Sequence, residues 1–265
     1  TMTFHNHSLT KLLLLLGIIL QHNIVLAQEC VLGSYETKFG ISGENAPRAV
    51  NLALAASKID GAVLQLGEVI SYNDLVGPRT TSAGFKKAHV ISKGKLIDGI
   101  GGGACQVAST LHAAAIYSGF DIVESHAHSL ASPYIQPSLD ATVSYPDLDL
   151  KIQNPYNTAV KISVQILPSE EKGKKVIRAE FLAIDCSMKR IVTTSFSEKI
   201  TKKRPVWLIR TSAVTKGSVI HQSGSDGKVV TRTISIFRPD GSLLSNVTRV
   251  FTFISLEKIV WKAKE

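Results

Sequence analysis

The stretch Ile100–Leu111 constrains this chain more than any other: three consecutive glycines, Gly101 to Gly103, run directly into Ala104, Cys105 and Gln106. Three glycines in a row are costly inside a helix or strand, so they form a loop. From Ala104 to Ser118 the pattern is helical, with Val107, Leu111 and Ala115 on one stripe, alanines filling the body and Gly119 as the stop. Cys105 therefore enters the first turn of a core helix. There, unpaired amides and the positive end of the helix dipole stabilise a thiolate and lower the thiol pKa. Taken alone, the stretch leaves three readings open: a nucleophilic cysteine, a buried apolar cysteine, and an anion cradle. The cradle lacks the Gly-Lys-Ser/Thr ending of a P-loop and the spacing of a dinucleotide fingerprint.

The compartment bears on that choice. Lys11, an apolar run from Leu12 to Leu20, a polar break at Gln21-His22-Asn23 and then Val25-Leu26-Ala27 follow the order of a secretory signal peptide cleaved after Ala27. The run is short for a bilayer span and no later stretch is a candidate, so the expectation is an exported protein, periplasmic or cell-wall associated, with no stable membrane span after cleavage. Cleavage removes one lysine from a formal net charge of +9. The remaining excess favours anionic partners such as cell-wall polymers, and export argues against nucleic acid. Three cysteines in an exported chain leave one over. Pairing Cys30 with Cys186 is the economical scheme, and it leaves Cys105 free.

Cys30 to Gly40 reads as an edge strand. Asn45 and Pro47 open a helix whose Val50, Leu54 and alanines face the core, ending before Gly61. Val63 to Tyr72 is strand-like with a turn at Gly67. The loop Gly77–Thr80 carries Arg79, either a solvated loop residue or an anion contact. Two short strands flank a hairpin at Lys93-Gly94 and lead into the glycine loop. Phe120–Glu124 is strand-like and precedes His126 and His128, whose i, i+2 spacing on extended chain points them to opposite sides, so that one faces Cys105. A looser loop would let both join Cys105 around zinc. His112 is given no chemical role. Leu139–Ser144 reads as a strand that carries Asp140, either a turn residue or the acid that orients a histidine in a Cys-His-acid set. Ala159–Ile166 alternates strictly, Pro168–Lys175 is a charged tip, and everything beyond is β-like with turn glycines. The fold class expected is α+β: an N-terminal mixed domain with two core helices packed on antiparallel strands, then a small all-β module. No cofactor is called for.

Several of these strings, taken together and in order, resemble the VanW-like family: Arg48–Gly61, Gly67–Asn73, Val76–Thr80, Gly99–Leu111, and His126–Ser129 followed by Asp140–Val143. Val214–Val260 is similar to the G5-type modules that often follow such domains. The resemblance divides the chain into a signal peptide (1–27), a VanW-like domain (28–168), a strand and spacer (169–204) and a G5-like β module (205–265). It implies a cell-envelope protein associated with vancomycin resistance, and a cysteine L,D-transpeptidase acting on peptidoglycan stem peptides. The nucleophile falls on Cys105, a histidine base on His126 or His128, and Asp140 beside it. Arg79, Gly102, Gly103, Gln106, Ser109, Thr110 and Ser129 are the expected substrate-binding positions, and no metal is expected. A non-catalytic module that binds peptidoglycan or glycopeptide is the alternative.

Overall fold

The computed structural model describes residues 29–92 and 95–264. The expected leader, residues 1–27, and the hairpin tip Lys93-Gly94 lie outside the described residues. In chain order the elements are β1 (Cys30–Gly40), α1 (Ala46–Ile59), β2 (Val63–Leu64), β3 (Val69–Ser71), α2 (Tyr72–Val76), β4 (Lys87–Ser92), β5 (Lys95–Ile100) and α3 (Ala104–Tyr117). They continue with β6 (Asp121–Glu124), β7 (Lys151–Gln153), β8 (Val160–Pro168), β9 (Lys174–Ala183), β10 (Ile191–Lys202), β11 (Val206–Thr211), β12 (Ser218–Gln222), β13 (Gly227–Phe237), β14 (Leu243–Phe253) and β15 (Lys258–Ala263). The class is α+β with an all-β portion, as expected.

The strictly alternating β8 lies inside an antiparallel sheet of order β1-β9-β8-β2. β9 pairs on one side with β1 and on the other with β8, so this sheet runs across position 168. Beyond it, β10-β13-β14 form a second antiparallel sheet, and β11-β15-β12 a third in which β11 runs parallel to β15.

Both long helices pack on the first sheet. Leu52, Ala55 and Ile59 of α1 meet Val107, Leu111 and Ala115 of α3 and Ile162, Ile177 and Phe181 of the strands in one core. The α1 core face is one step away from the expected one: Val50 is 47% exposed, and Asn51, Leu52, Ala55, Ala56 and Ile59 are buried. Asn45 makes no side-chain cap, because a 3-10 turn over Gly43–Asn45 already gives it helical backbone angles.

The helix α3 departs further from expectation. Every residue from Ala104 to Ile116 except Cys105 is buried, so a single apolar stripe understates it. Its second face, with Ala113 and Ile116, packs on Ile135 and Leu139 and on Phe196 and Ile234 of the second sheet. A helix apolar all round is a helix covered all round, and here alanines let two layers approach it. Leu139–Ser144 is a loop rather than a strand, because side chains and loop backbone take its bonds: Ala141 N–H donates to Ser109 Oγ (2.9 Å) and Thr142 N–H to the His126 carbonyl (2.6 Å).

A disulfide joins Cys30 and Cys186, 156 residues apart, and ties the start of β1 to the segment after β9. Cys105 is a free cysteine. Replacing Cys30 and Cys186 by serine removes a long cross-link from the unfolded chain and is expected to cost about 2–5 kcal/mol. Denaturant melts measure the loss. A thiol count on the unreduced, denatured protein should return one; a second free thiol would refute the pairing.

Candidate active site

The first turn of α3 is placed by close contacts that only glycine allows. A Cβ on Gly102 would stand 2.4 Å from the His89 carbonyl oxygen, and Gly103 serves as N-cap with φ +113°, a left-handed conformation that L side chains rarely adopt. The Tyr72 hydroxyl donates to the Ala104 carbonyl (2.8 Å), and Arg48 Nη2 donates to Gln106 Oε1 (2.7 Å). These ties fix where Cys105 emerges. It opens into a cleft of about 770 Å³ lined by Arg48, Arg79, Gly101 to Gly103, His128, Ser129, Tyr134 and Val143.

Beside the thiol lies a buried pair. His128 is 6% exposed and Asp140 3%. Asp140 Oδ2 accepts from the His128 amide (2.7 Å) and from its ring Nδ1–H (2.8 Å), while Oδ1 accepts from the Ser138 amide (3.0 Å). With Nδ1 engaged, Nε2 is the ring nitrogen left for the cysteine.

The electrostatics follow from that arrangement. Burial disfavours the charged imidazole, but hydrogen bonds to Asp140 and to Cys105 outweigh it and lift His128 to about 9. Burial also disfavours the Cys105 thiolate. The hydrogen bond and charge of His128, the Val143 backbone and the Arg79 charge more than offset this and hold the thiol below its ordinary value. The Asp140 carboxyl is likewise pushed up by burial and pulled down further by His128 and the two amides. Each group thus favours the charged form of the other.

The other expected residues separate into groups. His126 turns to Glu124 (Nε2 to Oε1, 3.0 Å) and lies outside the cleft lining. Arg79 lies over the Tyr72 ring at 5.3 Å, donates from Nη1 to the Gly77 carbonyl, and buries an Nη2 that has no hydrogen-bond partner. Ser109 and Thr110 are fully buried. The Ser109 hydroxyl donates to the Cys105 carbonyl (2.7 Å) and accepts from Ala141, and Thr110 bonds to Gln106 O and Thr37. Gln106 lines the cleft but its amide is committed to Arg48, Thr37 and Lys38. Gly102, Gly103 and Ser129 border the cleft. Among the described residues, no three His, Cys, Asp or Glu side chains converge as a metal site.

Sequence reasoning missed Arg48 and Tyr134, which face Cys105 from α1 and from the loop after His128. Arg48 lies 5.9 Å from the Tyr134 ring; burial holds its guanidinium below the ordinary value, against the pull of Tyr134 and Cys105. No spacing rule joins these positions.

Residues 47–175, which hold Cys105, His128 and Asp140, match the family described as VanW like protein. The match covers just under half of the chain. Over 131 residues it is 44% identical to YoaR of Bacillus subtilis, covering 49% of this chain and 43% of that protein. Over 145 residues it is 28% identical to the vancomycin B-type resistance protein VanW of Enterococcus faecalis, covering 52% of each. The chain thus spans about half the length of these relatives. Solved structures that resemble part of it are the G5 domain of HP0197 (28% of this chain, 96% of that one, 16% identity, TM-score 0.15) and an IgA1 protease G5 domain (29%, 94%, 18%, 0.18). Scores this low do not establish a fold.

Two predictions follow from the site. Held above 6.5, His128 contributes stability that is full below pH 6.5 and is lost as pH rises through about 9. Held below its ordinary value, Asp140 contributes stability above the carboxylate range that is lost as pH falls. The melting temperature of Asp140→Asn should therefore fall furthest below wild type between about pH 4 and 6.5, with the gap closing towards about 9; a pH-independent gap would contradict the pairing. Gly102→Ala should destabilise by about 1–3 kcal/mol, because backbone rather than a flexible side chain must move; an unchanged thermal melt would contradict that packing.

Proposed function

We propose that this is an exported cell-envelope protein whose VanW-like domain is a cysteine acyltransferase acting on peptidoglycan stem peptides. The observation that carries the reading is Cys105 opening into the cleft beside the buried His128–Asp140 pair, with the thiol lowered and the imidazole raised. Perturbation of two groups in opposite senses, at the mouth of a cleft, is what nucleophilic catalysis requires. The C-terminal residues 205–265 are read as a G5-like module that contributes wall contact, and residues 28–168 as the VanW-like unit.

In this mechanism the Cys105 thiolate attacks the carbonyl carbon between the L-centre residue of a donor stem and its terminal D-residue. The tetrahedral oxyanion needs an amide donor. Ala104 N–H is bonded to Gly101 O (3.1 Å) and Gln106 N–H to Gly103 O (2.9 Å), so the backbone N–H of Cys105 is the donor assigned to it. The C–N bond then breaks, and His128 gives its proton from Nε2 to the departing amine. An acceptor amine attacks the thioester carbonyl, His128 takes its proton, and the C–S bond breaks to release thiolate and a new amide. Asp140 keeps Nδ1 protonated throughout. Arg79, with its unpartnered Nη2, and Arg48 provide charge for the stem carboxylate.

The two arginines also favour a second reading, a cleft that binds anionic wall peptides without chemistry. Incubation with disaccharide-tetrapeptides and mass spectrometry of the products distinguishes them. Cross-linked dimers or exchanged terminal D-residues are expected, with loss of at least about 1,000-fold in Cys105→Ala and His128→Ala. Binding of tetrapeptide without any product, equally strong in Cys105→Ala, would leave the binding module as the function.

A further inference from the structure

The loops carrying His128 and Asp140 are held from outside the VanW-like domain, by the second sheet. Arg232, on β13, is 4% exposed, and its Nη1 donates to the Ser138 carbonyl. Its guanidinium lies 4.9 Å from the Phe251 ring of β14. Ser138 is the non-glycine residue with positive φ (80°) among the described residues. That turn is unfavourable for a residue with a Cβ and persists where its surroundings hold it. Here the twist aims the Ser138 N–H at Asp140 Oδ1 and its carbonyl at Arg232. A second tie reaches the neighbouring loop: the Ile254 amide, just past β14, donates to the Ser129 carbonyl at 2.8 Å, one residue from His128. Between the two ties, Ala113 and Ile116 of α3 and Leu139 pack against Phe196 and Ile234 of the same sheet.

We propose that the β10-β13-β14 sheet is part of the active site, with Arg232 as a positioning residue that sets the Asp140–His128 contact through the Ser138 carbonyl, and the Ile254 amide as a second strut. This rests on the acyltransfer reading for its consequence, though not for its geometry. Loss of Arg232 leaves a buried carbonyl without its donor and releases the strained turn. Asp140 then moves off His128, the imidazole becomes less basic, and the thiol loses the charge that favours its anion. The groups around Arg232 are Asp140, Arg249 on β14, and Tyr117 and His112 on α3, and Asp121 shares the adjoining groove.

The sign of the change separates positioning from bare charge. A guanidinium acting only through space opposes the imidazolium, so its removal would make His128 more basic. Acting through Ser138, its removal makes His128 less basic.

The full chain with Arg232→Met, Arg232→Lys or Ile254→Pro tests this by NMR titration of the His128 ring and by the pH profile of Cys105 alkylation with iodoacetamide. Arg232→Met should lower the His128 midpoint by at least about one unit and slow alkylation at pH 7 about tenfold. Arg232→Lys, which keeps a charged donor, should recover most of that. Ile254→Pro removes that amide hydrogen at a half-exposed position, while also replacing the side chain and fixing φ, and should shift both readouts in the same direction, by a few-fold. An unchanged or raised His128 midpoint in Arg232→Met, even with a lower melting temperature, overturns the proposal. If that variant does not fold, an unchanged profile in Ile254→Pro does so. A wild-type protein with ordinary His128 and Cys105 titrations would instead sink the acyltransfer reading, leaving the variants to report on geometry alone.

Discussion

The bonds accepted by the Asp140 carboxylate are the constraint on which the rest of the site depends. A buried carboxylate is tolerable only where hydrogen bonds and an opposite charge replace its water. Asp140 gets these from the amides of His128 and Ser138 and from the His128 ring. Because the group stays ionised, Nδ1 must carry a proton and point at it. Because Nδ1 is fixed, Nε2 is the nitrogen that meets the thiol. The state of Cys105 is thus decided two groups away from its sulfur, by a side chain bonded chiefly to backbone.

Rigidity comes from α3. Its burial on both sides means that a shift of Cys105 would have to displace the first sheet or the second. Polar pins inside the core do the finer alignment: Ser109 bonds at once to the Cys105 carbonyl and to Ala141, linking the turn that carries the nucleophile to the loop that carries the acid. Ser109 and Thr110 therefore serve the site from inside the core and do not touch whatever occupies the cleft. The glycines have a related role. They let the helix start pack against the β4–β5 hairpin and Arg48 without a side chain intervening, which is a reason for a glycine run that no phosphate ligand is needed to explain.

What could be read in the sequence follows from the range of the forces involved. The helical run after Gly103, the alternation of β8 and the odd cysteine are local or arithmetic signals, and α3 and β8 form where those signals put them. The second buried face of α3 was invisible, since alanines are compatible with either one covered side or two. The strand expected at Leu139–Ser144 failed because side chains from α3 and the His126 carbonyl take its backbone groups in place of sheet pairing. Choosing between His126 and His128 needed tertiary geometry: both belong to the same short motif, and only packing turns one to Asp140 and the other to Glu124. Arg48 and Tyr134 reach the cleft from distant segments, and Arg232 reaches the loop of Asp140 from 94 residues further along the chain. No single-chain pattern encodes such meetings.

The cost of the buried pair bears on whether the cleft performs chemistry. A pocket that only holds an anionic peptide is served by Arg48 and Arg79 at its wall, and its floor could be apolar at no loss. Placing a carboxylate and an imidazole there instead requires desolvating both, and a well-packed apolar replacement is often as stable or more so. The strained turn at Ser138 adds a further unfavourable contribution. These expenditures have no use in retaining a ligand, because neither Asp140 nor the proton on Nδ1 faces the cleft. They matter if the proton on the other ring nitrogen must be given and taken back while the thiolate attacks. With Asp140 and Ser138 off the cleft lining and only His128 reaching it, these unfavourable terms support the proposed acyl transfer over binding alone.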